Sequence, residues 1–174
     1  MFLVTPQMMI RQAAVADGGA IAEIYNHFIS ETDISFETRP LSASEMEARL
    51  ARLLGSGPCF VAEVDGKVAG WCYAHEWKER EAYSRTLETT VYVAPAYQRR
   101  GIGWALMERL IGECRARGTV ALIACITGGN EASIELHRRL GFTQVSHFKE
   151  VGIKFGRRLD VVDMELLLCS KSYD

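Results

Sequence analysis

The chain has 174 residues, 48% of them hydrophobic, with a formal net charge of −2. That length suits one domain with an ample core, and so small a charge gives no general attraction to nucleic acid or to an anionic membrane. The five cysteines and four histidines show no C-x-x-C pairing and no metal-ligand spacing, so no metal is expected, and the cysteines read as small hydrophobes of a reduced, cytoplasmic protein.

Residues 1–8 read as a frayed extension with Met8 or Met9 as alternative starts, because Met1–Val4 is too short for a signal-peptide core and has no basic flank. Residues 9–168 read as a single domain and 169–174 as a tail. Met9–Ala14 is the first predicted strand. Asp17 is placed to cap a helix whose apolar face is Ala20, Ile21, Ile24, Tyr25 and Phe28. A polar, irregular stretch from Ser30 to Pro40 follows and contains Phe36-Glu37. Ser42-Ala43-Ser44-Glu45 is a capping box opening a second helix, with Met46, Leu50, Leu53 and Leu54 inward. Cys59–Val64 and Lys67–His75 alternate around Asp65-Gly66, a hairpin signal.

Thr89–Val93 is β-branched and aromatic and reads as a strand, closed by Ala94-Pro95. Ile102, Leu106, Leu110 and Cys114 then define one face of a helix. Val120–Ile126 has the length of a buried strand. Asn130 stands at an N-cap position and Gly141 at a C′ position around a further helix. Thr143–Lys149 and Leu159–Leu168 supply the last strands, on either side of Lys154-Phe155-Gly156-Arg157. About seven strands interleaved with about four helices predict an α/β protein with a mixed, mainly antiparallel sheet covered on both faces.

The most informative segment is Gln98-Arg99-Arg100-Gly101-Ile102-Gly103, a glycine-containing loop from a strand into a helix N-terminus. Free N–H groups and the positive dipole end there suit a phosphate or pyrophosphate. The loop lacks the Gly-Lys-Ser/Thr of a P-loop, and Leu106 stands where a dinucleotide fingerprint has its third glycine. What remains, Gln/Arg-x-x-Gly-x-Gly/Ala, resembles the acyl-CoA pyrophosphate loop of the GNAT superfamily of N-acetyltransferases. Asn130-Glu131-Ala132-Ser133-Ile134-Glu135-Leu136-His137-Arg138-Arg139-Leu140-Gly141-Phe142 resembles that superfamily's second motif, with His137 in place of a tyrosine. Ile24-Tyr25-Asn26-His27, Phe36-Glu37-Thr38, Trp77-Lys78, Glu88 to Val93, Leu136-His137 and the segment from Val151 to Asp160 resemble the phosphinothricin and methionine sulfoximine N-acetyltransferases.

That resemblance implies the GNAT fold and transfer of an acetyl group from acetyl-CoA to the α-amino group of a small amino acid or glutamate analogue. It implies donor contacts through Val91, Tyr92, Val93, Arg99, Arg100, Gly101, Ile102, Gly103, Trp104, Asn130 and Ser133. A strand bulge near Val91 or Val93 would offer an N–H to the thioester carbonyl. Glu88 is implied as the base for the substrate ammonium, the alternative being a solvated carboxylate at a strand edge. His137 is implied as the acid for the departing thiolate, against a histidine merely satisfied between helix and sheet. Asn130 either orients the donor or only caps its helix.

Lys78 and Arg80 are candidates for the anionic groups of an amino acid, with Phe36 and Tyr83 as walls, although Glu76–Glu81 also reads as a solvated mixed-charge run. Lys154, Phe155 and Arg157 are implied near the pocket of a partner chain, because the resembled group is homodimeric. Direct attack is expected rather than an acyl-enzyme, since no cysteine lies at a motif position. Other acceptors in view are a protein N-terminus or a polyamine, the lack of an acidic excess weighing against the latter. A non-catalytic acyl-CoA-binding sensor would keep the loop and lack Glu88 and His137.

Overall fold

The alternation around Asp65-Gly66 does build a tight hairpin, and the rest of the sheet grows outward from it. In the computed structural model, which describes residues 7–168, β2 (Cys59–Val64) and β3 (Lys67–Glu76) pair antiparallel through a turn whose two residues have φ of 49° and 77°. Such left-handed turns match the twist of the flanking strands. β1 (Met8–Gln12) adds to β2, and β4 (Thr86–Val93) adds to β3. β5 (Ala121–Thr127) runs parallel to β4, and β7 (Arg157–Leu167) and β6 (Thr143–Lys154) complete a seven-stranded sheet of order β1-β2-β3-β4-β5-β7-β6. The β4–β5 pair is the parallel one; the other neighbours are antiparallel.

Period-2 alternation sends successive residues to opposite faces. Cys59, Val61 and Trp71 pack under α1 (Gly18–Glu31) and α2 (Ala43–Ser56). Phe60, Ala62, Cys72 and Ala74 pack with Leu106, Met107 and Leu110 of α3 (Ile102–Ala116) and Ile134 of α4 (Glu131–Arg139). The Ser42–Glu45 capping box forms as read, each residue's side chain taking the other's backbone N–H, at 3.2 Å and 2.7 Å. Met46 and Leu50 are fully buried beneath it.

Several expectations are corrected. Met8 already belongs to β1, opposite Val64, and Gln7 exchanges hydrogen bonds with Asp65; residues 1–6 of the expected extension and the 169–174 tail lie outside the described residues. Asp17 does not cap α1 with its side chain. Its carboxylate accepts from Arg11 at 2.7 and 2.8 Å and from the Ala14 N–H, because Arg11 is held there by Glu63 across β1–β2. β6 and β7 extend to Lys154 and Arg157 and form one hairpin, turned through Phe155 and Gly156 at φ 50° and 71°. The polar Lys149-Glu150 that seemed to end a strand is a bulge, where the Asp160 carboxylate accepts from the Glu150 N–H at 2.9 Å.

The feature that positions the site is a fork. β4 and β5 pair only through Thr86↔Ala121, Leu87↔Leu122 and Glu88↔Ile123. Beyond that point β4 stays with β3, and β5 stays with β7. At the crotch the buried Thr89 hydroxyl donates to the Ile123 carbonyl at 3.3 Å. Thr89→Val keeps the shape but removes that donor, and is expected to cost about 1–3 kcal/mol, with Thr89→Ser near wild type. Urea denaturation at constant m-value checks this, and an unchanged midpoint for Thr89→Val would contradict it.

Candidate functional site

A cleft of about 1190 Å³ opens where the fork parts. On its sheet side the edge of β4 from Thr89 to Val93 has lost its strand partner; the Gln98 side chain donates to the Val93 carbonyl at 3.2 Å, and the other outward backbone groups are available to a ligand. The expected bulge near Val91 or Val93 is absent: β4 runs in continuous register against β3 from Leu87 to Val93. Register shifts lie instead between Ala62 and Glu63 and along β6. It is the departure of β5 that leaves this edge of β4 without a strand partner.

One limb of the cleft is the loop into α3. Gly101 is the N-cap at φ 78°, and Arg99 before it is also left-handed at 59°. Ala105 donates back to the Gly101 carbonyl at 3.0 Å. The N–H groups of Ile102, Gly103 and Trp104 precede that first helical bond and face the positive end of the dipole. A Cβ at position 101 would meet no protein atom within 4 Å, so a ligand has room against the bare backbone. Arg99 and Trp104 line the cleft, whereas Arg100 does not; its guanidinium lies over Tyr97 at 5.3 Å. Arg139, which the motif leaves variable, lines the cleft and sits 5.5 Å over Trp104. Its place on the Ala132–Leu136 face of α4 was the available signal.

α4 forms the wall beside this limb. Asn130 Oδ1 accepts from the Ser133 N–H at 3.2 Å, so the capping function is realised, and both residues line the cleft. His137 is 3% exposed, edge-on to Phe142 at 5.0 Å. Its Nδ1 lies 2.8 Å from the Ser133 carbonyl, an acceptor only, so Nδ1 carries the proton. Nε2 is then a bare acceptor with no partner among the described residues. Burial lowers the pKa below the ordinary histidine value, so in the neutral range this nitrogen takes a proton or hydrogen bond rather than giving one.

The other limb gathers Tyr25, Ser35, Phe36, Glu37, Tyr73, His75, Glu88 and Thr90. Burial is the largest influence on Glu88 and raises its pKa; His75, with Nε2 3.9 Å away, opposes this, and Asp163 adds to it. Glu37 accepts from Tyr25 at 3.0 Å and Arg49 at 2.6 Å. Cys125 on β5 also lines the cleft, but burial and the nearby carboxylates push its thiol to about 12.

Lys78, Arg80 and Tyr83 are not among the lining residues. Their segment folds on itself: the Lys78 ammonium sits 3.9 Å over the Trp77 ring, and Tyr83 meets Trp77 edge-on at 5.2 Å. Lys154 and Arg157 bond within their own chain, to the Ser35 carbonyl at 2.6 Å and the Asp33 carboxylate at 2.7 Å, while Phe155 is exposed. His75, Tyr73 and Arg139 were missed in the sequence reading. The first two became visible only through the pairing of β3 with β4, which sets His75 opposite Glu88 and Tyr73 opposite Thr90.

The loop from a strand into a helix N-terminus is where the first motif placed it, and the split parallel strand pair beside it is the structure's addition. The model of the acetyltransferase (GNAT) family matches residues 21–142, which contain both motifs and the fork, and the chain belongs to that family. It is 41% identical over 162 residues to an L-methionine sulfoximine/L-methionine sulfone acetyltransferase of Salmonella typhimurium, covering 92% of this chain and 95% of that one. It is 40% identical to a phosphinothricin N-acetyltransferase of Streptomyces viridochromogenes, covering 87% and 83% respectively. The crystal structure of a GNAT superfamily phosphinothricin acetyltransferase from Sinorhizobium meliloti in complex with acetyl-CoA matches with a TM-score of 0.89 at 36% identity, covering 92% of this chain and 88% of that chain.

The electrostatics of Glu88 have a direct check. Removing an anion favours the ionised form, so Asp163→Asn is expected to lower the Glu88 pKa, and His75→Ala to raise it further. NMR titration of labelled glutamate carboxyls reads both. A Glu88 titrating at or below the ordinary carboxylate value would contradict the desolvated environment.

Proposed function

We propose that the chain transfers the acetyl group of acetyl-CoA to the α-amino group of a small amino acid of the methionine sulfoximine, methionine sulfone or phosphinothricin kind, by direct attack in a ternary complex. The observation that carries this reading is the joining, in one cleft, of a free helix N-terminus on one limb and a desolvated carboxylate, Glu88, on the other. The relatives' substrates and the bound acetyl-CoA of the Sinorhizobium meliloti enzyme support it.

When bound, acetyl-CoA supplies a thioester carbonyl and a thiol leaving group. The N–H groups of Ile102, Gly103 and Trp104, with Arg99 and Arg139, suit its pyrophosphate. The unpaired edge of β4 at Val91–Val93 offers hydrogen bonds along the pantetheine arm, and the Asn130 amide N–H groups remain free while its oxygen caps α4. Glu88 takes the proton of the substrate ammonium, directly or through water, and its raised pKa makes it a stronger base. His137 Nε2 begins as an acceptor, so a donor role toward the thiolate requires that it first receive a proton. Cys125, held as a thiol, is a poor nucleophile, which favours direct attack.

Lys78 and Arg80 stand on the loop just beyond His75 and Glu88, and in this reading they turn onto the acceptor's carboxylate when it binds. One observation favours a second reading, a cationic amine acceptor: among the described residues the lining lysines and arginines are Arg99 and Arg139, both at the donor limb. A homodimer is supported by the β6 edge, where Val145, Phe148, Val151, Ile153 and Phe155 are all more than half exposed. Of the residues expected near a partner's pocket, Phe155 is exposed, its ring 5.0 Å from the Lys154 ammonium. A cytoplasmic location is supported by free cysteines at positions 59, 72, 114 and 125.

Thiol release from acetyl-CoA, measured across amino acids, sulfones, sulfoximines, polyamines and peptide N-termini, tests the assignment. Methionine sulfoximine or phosphinothricin is expected to give the highest kcat/KM, and Lys78→Ala to raise the amino acid's KM more than that of acetyl-CoA. Polyamines in first place would select the second reading. Gly101→Asn tests the donor limb, because asparagine tolerates a left-handed φ yet fills the ligand's path. Its acetyl-CoA affinity is expected to fall roughly tenfold or more at near-normal Tm; unchanged calorimetric affinity would remove the loop from its role.

A further inference from the structure

Residues Asp33–Glu37 cross the acceptor limb as a strap, and their hold on the molecule comes from both banks of the fork. From α1, Tyr25 and Ser35 share a hydroxyl contact at 3.1 Å, and Tyr25 also binds Glu37. From β5, the Thr127 hydroxyl donates to the Asp33 and Ile34 carbonyls at 2.9 and 3.1 Å. From the β6–β7 hairpin come Arg157 on Asp33 and Lys154 on the Ser35 carbonyl.

Lys154 is the unusual member. It is 4% exposed and makes no ion pair with a carboxylate among the described residues; its oxygen partners are the backbone carbonyls of Ser35 at 2.6 Å and Phe28 at 3.4 Å, and the Phe155 ring lies 5.0 Å away. Burying an ammonium without a paired anion is costly. Phe28 lies in the last turn of α1, where the carbonyl end of the helix dipole offsets part of that cost. Two residues earlier on the same face of β6, Gly152 supports Phe36: a Cβ there would collide with Phe36 Cε2 and lie 2.8 Å from its Cζ. Ile153 between them points the other way and is 74% exposed. The inward face of this strand end therefore serves the strap.

We propose that Lys154 and Gly152 are positioning residues for the acceptor: they fix the strap so that Ser35, Phe36 and Glu37 form the wall opposite Glu88. This rests on the assignment of that limb to the amine acceptor. A charged side chain with three donors can fasten two carbonyls from different elements at once, which no apolar residue of the same length can do. The bare Gly152 backbone then sets how deep the Phe36 ring sits.

Lys154→Met keeps the stem and removes the donors. Hydrogen exchange at residues 33–37 is expected to lose protection, because the strap's fastening to the hairpin is gone. The KM of the amino acid is expected to rise roughly tenfold, with kcat and the KM of acetyl-CoA within about twofold of wild type, a split that general destabilisation would not produce. Gly152→Ala leaves Lys154 in place and displaces Phe36, so it is expected to give the same acceptor-selective rise, and it carries the kinetic test if Lys154→Met fails to fold. Unchanged protection in Lys154→Met, a wild-type acceptor KM in folded Gly152→Ala, or an equal rise in both substrates' KM would overturn the proposal. If the wild-type chain acetylates no amino acid, the functional reading fails separately, and the exchange arm still decides whether Lys154 holds the strap.

Discussion

Everything in this molecule that bears on chemistry depends on β4 and β5 parting after Glu88↔Ile123. Two parallel strands that stay together satisfy each other's backbone and leave no room between them. Once they separate, unpaired N–H and C=O groups on β4 must find partners elsewhere, and a buried orphan is costly. Gln98 meets one of these demands by donating its Nε2 to the Val93 carbonyl, the Thr89 hydroxyl serves the Ile123 carbonyl on the β5 side, and the rest of the edge is left to face the cleft. The separation is held open by bulk on both sides, α1 and α2 over Trp71 and Tyr92, α3 and α4 over Leu122 and Ala124. Two independent cores thus fix the width of one opening.

The two limbs of that opening have opposite electrical character. At the α3 end, free N–H groups, Arg99 and Arg139 favour an anion. At the other end, Glu37 and Glu88 stand among tyrosines and Phe36, an environment suited to an ammonium group. His137 and Glu88 are both shifted toward their uncharged forms by burial, His137 downward and Glu88 upward. The upward shift brings Glu88 nearer to neutral pH and makes it the readier of the two to take a proton, whereas the downward shift keeps His137 a neutral acceptor.

Much of this was legible in the sequence because it is local. A glycine in a strand-to-helix loop, a capping box and a period of two or four residues are written within short windows, and the loop at Gly101, the Ser42–Glu45 box and the β2–β3 hairpin all emerged as read. What failed was whatever depends on a distant partner. Asp17 looks like a cap until Arg11 claims it, and Lys149-Glu150 looks like a strand end until Asp160 accepts from the Glu150 N–H across the hairpin. Lys78 looks available until Trp77 and Tyr83 fold beneath it. Most loop and helix residues of the α3 limb could be named from two motifs, Arg100, which turns to Tyr97, and the missed Arg139 being the exceptions, whereas the other limb, assembled from α1, the strap, β3, β4 and β5, could be named only in part.

The central claim is that the fork and the α3 N-terminus together form the donor site. Titrating isotope-labelled protein with acetyl-CoA and following backbone amide shifts tests it most directly. The largest changes are expected at Thr89–Val93 and Ile102–Trp104, lying on the two sides of the parted strands, with the β1–β2 edge unmoved. Changes confined to another surface, such as the polar hollow around His147, Arg158 and Asp160 between α4 and the β6–β7 hairpin, would contradict the account.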